Sequence, residues 1–218
     1  MVNNDSRHSV AQEAQLVSDP AERAEIEVLN GLKQYDSGVQ VIQDALDRGN
    51  FKLRPSLILS LHREALRGLS SFAGNFRPAN VEIQGSSHEP IGAHLVAELV
   101  EEMCDYVNEN WGQSSAIHLS AYLMWRLNWI HPFADGNGRT SRIISYVVLC
   151  IKTESMLPGT PTIPEQIVGN RDPYFDALDS ADAAYKSGKI DVSEMEKLLS
   201  GMLAEQLKNV YQAAGGNA

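Results

Sequence analysis

Two uniformly apolar segments, residues 116–130 and 140–151, constrain the fold of this 218-residue chain more than any other feature. Each is apolar on nearly every side, which is typical of a helix that is buried on most of its surface. Pro132 must end the first helix near residue 130, because proline restricts the residue before it and cannot continue the hydrogen-bonded turn. The two segments therefore predict a pair of core helices joined by a short loop.

The other apolar patterns are mostly helical as well. The clearest stripe follows the i, i+3, i+4, i+7 spacing of one helix face and comprises Val96, Leu99, Val100, Met103 and Val107. Further helices are predicted over residues 18–36, 37–48, 55–67, 172–186 and 192–211. Residues 80–85 instead alternate apolar and polar side chains before a Gly-Ser-Ser turn, which favours a hairpin. The sequence predicts an all-α fold with one short β-hairpin flap.

The chain contains no internal repeat and no linker that would separate two large domains. Residues 1–17 are polar, and their apolar side chains follow no sustained helical or strand spacing. This pattern predicts a flexible N-terminal arm. An N-terminal helix over residues 18–36 is expected to follow, then the main domain over 37–212 and a disordered tail over 213–218.

The charge balance limits the partners. With 18 Lys and Arg against 28 Asp and Glu, the net charge is −10, so neither nucleic acid nor an anionic membrane is expected as a partner. Lys and Arg are absent from residues 78–125, which hold seven acids, whereas Arg126, Arg139 and Arg142 follow with Asp135 as the one acid among them. This basic island predicts binding of one small anion, and the acidic stretch favours a neutral or basic target segment.

Cys104 and Cys150 both lie in apolar surroundings and predict buried thiols in a reducing compartment. No apolar stretch reaches the roughly 18 residues of a membrane-spanning helix, and the polar start lacks the apolar core of a secretory signal. We therefore expect a cytoplasmic protein.

Residues 131–142 concentrate the chemistry of the chain. His131 lies at a helix end, and the glycines at 136 and 138 allow backbone N–H groups to converge on an anion at the start of the next helix. Arg139 and Arg142 share a helix face, and Asp135 adds one carboxylate that suits Mg²⁺ between phosphates. Any one of these residues alone is more often part of a tight connection. Together, in this order, they favour phosphoryl or nucleotidyl transfer.

The segment His-Pro-Phe-Ala-Asp-Gly-Asn-Gly-Arg-Thr-Ser-Arg over residues 131–142 resembles the signature of the Fic (Fic/Doc, Fido) family. That signature reads His-x-Phe-x-Asp/Glu-Gly-Asn-Gly-Arg-x-x-Arg, and every fixed position is matched. The surrounding chain agrees from about residue 30 to 199. The resemblance implies a Fic-type helical core and a protein adenylyltransferase (AMPylation) activity, in which AMP moves from ATP to a Ser, Thr or Tyr hydroxyl of a target protein and pyrophosphate is released.

The resemblance also implies a role for each residue of the signature. His131 would be the general base, for which an ordinary pKa of about 6.5 is suitable. Phe133 would anchor the loop, and Asp135 would hold Mg²⁺ between the α- and β-phosphates. The residues implied to bind the nucleotide are Gly136, Asn137, Gly138, Arg139, Thr140, Ser141 and Arg142, with the two arginines on the β- and γ-phosphates.

Two further segments resemble nucleotide-site elements of the family. Its hairpin aligns the target by strand addition and covers the nucleotide with an apolar side chain; here it corresponds to Val81, Glu82, Ile83 and Gln84. Tyr174 and Phe175 match an aromatic pair near the adenine and ribose, and Asp182 stands where Asn is common. The spacing of Tyr174 and Phe175 suits core packing equally well.

Many relatives carry an inhibitory helix with the motif Ser/Thr-x-x-x-Glu-Gly/Asn. In residues 24–31, Asn30 fits this motif, but Leu29 replaces its Glu and Glu25 its Ser/Thr. We therefore expect a helix in the inhibitory place with a weakened or absent clamp. Restraint by Glu27, one turn out of register, or by a separate antitoxin protein is the alternative.

Other functions are also compatible with the sequence alone. Relatives transfer UMP, phosphocholine or phosphate, or remove AMP, although the phosphate-transferring branch departs from the Gly-Asn-Gly that is intact here. A catalytically silent interaction domain is a third class, which the intact His131 disfavours. Autoadenylylation and a homo-oligomeric partner are compatible with the same signature.

Overall fold

The computed structural model describes residues 7–10, 16–213 and 215. Within these ranges the chain forms eight α-helices and two short strands. In chain order they are β1 (His8–Val10), α1 (Pro20–Arg48), α2 (Pro55–Leu66), β2 (Glu82–Gln84), α3 (Val96–Glu109), α4 (Ala116–Ile130), α5 (Asn137–Lys152), α6 (Ile163–Gly169), α7 (Asp172–Lys186) and α8 (Ser193–Ala213). The predicted all-α class is confirmed, and most of the predicted tail over 213–218 lies outside the described residues.

The two apolar segments form the central helix pair, as predicted. Helices α4 and α5 pack against each other along their length, with α1 and α2 on the α5 side and α3 and α8 on the α4 side. Leu123 and Leu127 of α4 and Val147 of α5 are inaccessible to solvent. Each such side chain stabilises the fold by about 1.5–3 kcal/mol relative to exposure, so the loop between α4 and α5 is anchored at both ends by the best-packed part of the molecule.

Helix α1 is one continuous helix, so the predicted break between residues 36 and 37 is wrong. Gly38, inside this helix, allows close packing: a Cβ at this position would lie 3.0 Å from Cδ1 of Ile143 in α5. Two buried amides fix α1 on α2, since Asn30 donates to the carbonyl of Arg67 (2.8 Å) and Gln34 to that of Leu61 (3.1 Å). Helix α1 therefore packs on both α2 and α5.

The flap does not form a local hairpin. Strand β2 pairs antiparallel with β1, with Ser9 opposite Ile83, so the second strand comes from the predicted flexible arm. A three-residue strand is too short for an alternating pattern to be detected, and its partner lies more than 70 residues away in the chain. Residues 1–6 and 11–15 of that arm lie outside the described residues.

Helix α6 lies where prolines at 158, 161 and 164 interrupt the apolar pattern and no helix was predicted. Thr162 starts it with a capping box, in which the Thr162 backbone N–H donates to the Glu165 carboxylate at 2.6 Å. Pro164 occupies its first turn, where the missing N–H costs nothing. The proline that suggested a break is thus part of the helix start.

Cys104 and Cys150 are both buried and not disulfide-bonded, as predicted. Burial raises the pKa of the Cys104 thiol to about 12, which keeps it protonated and unreactive. Among the helices of the described ranges, none has the length and apolar character needed to cross a bilayer.

Candidate active site

The loop between α4 and α5 opens onto a cavity of about 310 Å³. Helix α1, strands β1 and β2 and helix α7 complete its walls. The side chains that line it are Arg7, Ser9, Glu27, Ile83, Ser86, His88, Asn128, Trp129, His131, Asp135, Gly136, Asn137, Gly138, Arg139, Arg142, Arg171, Tyr174, Phe175, Leu178 and Asp182. The volume is at the small end of the range for ligand sites.

His131 is held by its backbone as well as its side chain. It caps the C-terminus of α4 in the left-handed conformation (φ 53°). The buried Arg77 donates from Nε to the His131 carbonyl at 2.7 Å, and the Arg77 backbone N–H donates to the carbonyl of Pro132 at 2.9 Å. Arg77 therefore fixes the position of the histidine, although nothing in its local sequence indicates this role.

The hydrogen bonds of His131 determine its tautomer. Nδ1 lies 3.2 Å from the backbone carbonyl of Asn128, which can only accept, so Nδ1 carries the proton and Nε2 has a free lone pair. Burial lowers the pKa of His131 to about 4; the hydrogen bond to Asn128 opposes this shift, and the charges of His88 and Arg77 add to it. The ordinary pKa of 6.5 expected from sequence is thus wrong for this environment. At neutral pH the imidazole is a neutral proton acceptor.

The loop after His131 is pinned from inside the protein. Phe133 is fully buried and stacks on His62 with ring centroids 3.7 Å apart. Asn137 accepts from the Phe133 N–H and donates to the Phe133 carbonyl, both at 2.9 Å. The Asn137 side chain therefore closes the loop, and the residue also lines the cavity.

The start of α5 lines the cavity. Gly136 precedes the helix with φ 79°, a conformation that side chains disfavour. The first N–H groups of α5 have no carbonyl of their own helix to bind, and the helix dipole adds partial positive charge there. This end therefore favours an anion before any side chain is considered.

The cationic side chains differ from the predicted basic island. Arg126 does not reach the cavity, because its guanidinium is buried between Trp129 (4.3 Å) and Tyr185 (4.7 Å). Arg139 and Arg142 do line the cavity, and Arg7 and Arg171 join them.

Arg142 lies half-buried in the cavity wall. Burial lowers its pKa, which means that its charge is only partly compensated in this state. A buried charge of this kind is stabilised by a counter-charge with good hydrogen-bond geometry. Arg142 therefore favours an anionic ligand deep in the cavity.

Asp135 is the carboxylate predicted to bind metal. Its Oδ1 accepts from the Gly136 N–H at 2.6 Å, and its Oδ2 lies 2.9 Å from Arg139 and 3.7 Å from Arg23. In the part of the chain that the structure describes, no group of three His, Cys, Asp or Glu residues is arranged to hold a metal by itself. One carboxylate beside an anion site nevertheless fits Mg²⁺, which takes one or two protein carboxylates together with phosphate oxygens and waters.

Glu27 is the residue of α1 that faces the site. Its carboxylate lies 3.2 Å from Arg23 and 4.0 Å from Arg139. Leu29, which replaces the inhibitory glutamate, is 48% exposed and absent from the cavity wall, and Asn30 is directed to α2 instead. Of the two alternatives within the chain, the geometry favours Glu27 as the residue that restrains the arginines.

The remaining predicted nucleotide residues divide into two groups. Ile83, Tyr174, Phe175 and Asp182 line the cavity. Those that do not line it are Val81, which is buried, Glu82 and Gln84, which are exposed, and Thr140 and Ser141, which are buried inside α5.

Asp182 accepts from the Trp125 indole at 2.7 Å, and burial raises its pKa. The Tyr174 hydroxyl accepts from the Asn128 amide at 2.8 Å, so it also has a packing role. Both groups are therefore held in place without a ligand.

Several lining residues were not predicted, because each reaches the site through tertiary structure. Ser9 lies on β1, Arg7 directly precedes that strand, and Leu178 belongs to α7. His88 donates to the Trp129 carbonyl at 2.7 Å. No local pattern distinguishes such residues from ordinary core or surface positions.

Comparison with known proteins agrees with this geometry. Residues 52–149 match the model of the Fic/DOC family. The chain is 34% identical over 125 residues to "Protein adenylyltransferase Fic" of Drosophila willistoni, covering 56% of this chain and 23% of the relative. The protein of the same name in Aedes aegypti is 30% identical over 156 residues, which cover 70% of this chain and 29% of the relative. The matched regions thus span about a quarter of these relatives.

Solved structures show the same fold. A fragment of Fic-1 from C. elegans superposes with a TM-score of 0.68 at 19% identity, over 91% of this chain and 55% of that one. A Fic domain containing signaling protein from Bacteroides thetaiotaomicron superposes with a TM-score of 0.67 at 19% identity, over 87% and 74%. Residues 52–149 are therefore similar to the Fic/DOC family, and the chain has the fold of the solved Fic structures.

Proposed function

We propose that the chain is a protein adenylyltransferase, a nucleotidyltransferase that moves AMP from ATP to a hydroxyl of a protein. The observation that carries this proposal is the hydrogen bond between a serine hydroxyl and Nε2 of the neutral His131, at 2.7 Å, in a cavity that the N-terminus of α5 also lines. A transferase of this kind needs a base at the acceptor hydroxyl and cations at the phosphates within one site. The name of the relatives that are about 30–35% identical over part of the chain supports the same activity.

The phosphates of ATP are expected at the start of α5. Backbone N–H groups after Gly136 would donate to phosphate oxygens, and Arg139 and Arg142 would neutralise the charge of the β- and γ-phosphates. Each well-placed donor of this kind contributes about 3–4 kcal/mol to transition-state stabilisation. Ile83 and Phe175, which line the cavity, would supply apolar surface for the nucleoside.

Asp135 is the residue that would hold Mg²⁺. Its Oδ2 is shared with Arg139 in this state, and that arginine would turn to phosphate when the nucleotide enters. The ion would supply charge neutralisation on the leaving pyrophosphate.

His131 would act on the acceptor. Its Nε2 takes the proton as the hydroxyl oxygen forms a bond to the α-phosphorus, and the bond from that phosphorus to the bridging oxygen breaks to release pyrophosphate. Arg77 and the Asn128 carbonyl keep the imidazole in the correct place and tautomer. A general base contributes about 10²–10⁴-fold to such a rate.

The acceptor belongs to a protein, which we propose binds at β2. The edge of β2 that pairs with β1 is the one next to His131, so a target segment that replaces β1 would bring its own hydroxyl to the base. The compartment we propose is the cytoplasm, which supplies ATP and Mg²⁺ and agrees with the two buried thiols. An antitoxin or a second copy of the chain would also act at this edge of β2, by controlling access to it.

The group that is transferred can be tested directly. The purified chain is incubated with Mg²⁺ and either α-labelled or γ-labelled ATP, alone and with a cell lysate, and proteins are analysed for label and intact mass. We expect label from α-labelled ATP only, with a mass gain of one AMP. Label from the γ position would show phosphate transfer instead, and absence of protein label from either ATP in every condition would contradict the proposed function.

Removal of Glu27 tests the restraint by α1. Its carboxylate lies beside Arg139 and would repel the triphosphate, so Glu27→Gly is expected to increase AMP transfer at subsaturating ATP about fivefold, the equivalent of ~1 kcal/mol. The measurement is the initial rate of self-labelling against ATP concentration. Glu25→Gly, an exposed position outside the cavity on the same helix, carries the same cost in helix propensity and is the control. Equal rates in both variants would exclude Glu27 as a restraint.

A further inference from the structure

Strand β1 occupies the edge of the flap as a bound peptide would. Ser9 pairs with Ile83, and the neighbouring residues pair with Glu82 and Gln84 on either side. Arg7 fastens the strand at one end, with its guanidinium 2.8 and 2.6 Å from the two carboxylate oxygens of Asp179 and 4.6 Å above the ring of Phe175. The strand is therefore held in one register, which fixes the residue that faces the interior of the cavity.

That residue is Ser9. Its Oγ lies 2.7 Å from Nε2 of His131, and the Asn137 amide donates to the same oxygen at 3.4 Å. Because Nδ1 of His131 donates to the Asn128 carbonyl, Nε2 accepts and the Ser9 hydroxyl donates. The hydroxyl proton thus already points to the group that would remove it.

A second serine in the same cavity lacks this arrangement. Ser86 also lines the cavity, but its Oγ accepts from the His88 backbone N–H at 3.2 Å in a local turn of the flap. Ser9 is consequently distinguished by its contact with the base and by its register on β2, rather than by proximity to the cavity alone.

We propose that Ser9 is a modification site of this chain, an acceptor to which the site transfers AMP within the same molecule. This inference rests on the proposed function. In the step, Ser9 Oγ forms a bond to the α-phosphorus of ATP, the bond from that phosphorus to the bridging oxygen breaks, the Ser9 proton moves to His131 Nε2, and pyrophosphate leaves. The product is a phosphodiester between Ser9 and adenosine, and no oxidant or further co-reactant is needed.

The kinetics of Ser9 modification follow from the position of the acceptor and the base in the same chain. Since acceptor and base belong to one chain, the fraction of protein modified per unit time is independent of protein concentration. Each chain takes up one AMP at this position, because the AMP attached to Ser9 then occupies the cavity. A reaction between two molecules would instead accelerate in proportion to concentration.

The test uses the full-length chain with ATP and Mg²⁺, with peptide mass spectrometry to locate AMP. We expect AMP on Ser9 in the wild type, label reduced to the level of His131→Ala in Ser9→Ala, and label on residue 9 again in Ser9→Thr, which retains a hydroxyl. Ser18→Ala, an exposed serine outside the cavity, is the matched control and should label as the wild type does. Initial rates are measured over a dilution series, and thermal unfolding verifies that each variant is folded.

The outcomes separate this inference from the proposed function. AMP on lysate proteins or on another residue of the chain, with Ser9 unmodified, would overturn the role of Ser9 and leave the transferase activity standing. Modification of Ser9 at a rate proportional to protein concentration would overturn the intramolecular route. No AMP on any protein, the lysate included, would overturn the proposed function and this inference with it.

Discussion

Replacement of His131 by alanine is expected to lower the rate of AMP transfer by about 10²–10⁴-fold, the range for removal of a general base. The reason lies in the hydrogen bonds of the side chain: Nδ1 is committed to the Asn128 carbonyl, so Nε2 is the atom that takes the acceptor proton. The measurement is the initial rate of label transfer from α-labelled ATP at saturating concentration. Nucleotide affinity, measured separately by titration calorimetry, should change little, because the imidazole contacts the acceptor rather than the phosphates.

Two companion variants make this result specific. His131→Asn keeps a polar residue that tolerates the left-handed backbone at φ 53°, so loss of transfer in a variant with an unchanged unfolding midpoint would assign the effect to the missing base. His118→Ala removes a histidine of the same helix that lies outside the cavity, between Tyr106 and Glu196, and should leave transfer intact. Transfer at the wild-type rate in both His131 variants would contradict the assigned role.

The signature could be interpreted from sequence because its chemistry is local. His131, Asp135, Gly136 and the two arginines that follow lie within twelve residues, and the ends of two apolar helices fix where they meet. Residues 116–130 and 172–186 form helices with the predicted bounds, because their patterns are long and uninterrupted. Local periodicity and turn chemistry determine features of this kind.

Other features depend on distant contacts and have no local pattern. Arg77 looks like any surface arginine, yet it is buried and holds the carbonyl of His131, 54 positions away. Strand β1 consists of three residues that are ordered by pairing with the flap. The low pKa of His131 follows from burial, which spacing cannot reveal. The role of Gly38 is also hidden in the sequence, because a glycine that allows close packing cannot be distinguished there from a glycine that ends a helix.

The second large effect is expected at Gly136. Its φ of 79° is strained for any side chain, and a Cβ would lie 2.4 Å from Cδ2 of the buried Leu66. The left-handed conformation costs about 1–2 kcal/mol and overpacking about 1–3 kcal/mol more, so Gly136→Ala should lower the unfolding midpoint by roughly 5–15 °C at about 2–4 °C per kcal/mol for a chain of this size. Because the same residue starts α5, a displacement of about 1 Å there should also reduce AMP transfer about 100-fold.

Gly138, two residues later in the chain, provides the matched comparison. Its φ lies outside the left-handed region, and a Cβ would meet Nη1 of Arg142 at 3.1 Å, the far end of a flexible side chain. Gly138→Ala should therefore keep or raise the unfolding midpoint, since alanine favours a helix interior by up to about 1 kcal/mol, while AMP transfer falls because Arg142 is displaced. Differential scanning fluorimetry and the α-label assay on both variants check this pair. Equal unfolding midpoints for the two would contradict the strain assigned to Gly136, and full transfer by Gly138→Ala would contradict a role for Arg142 at the phosphates.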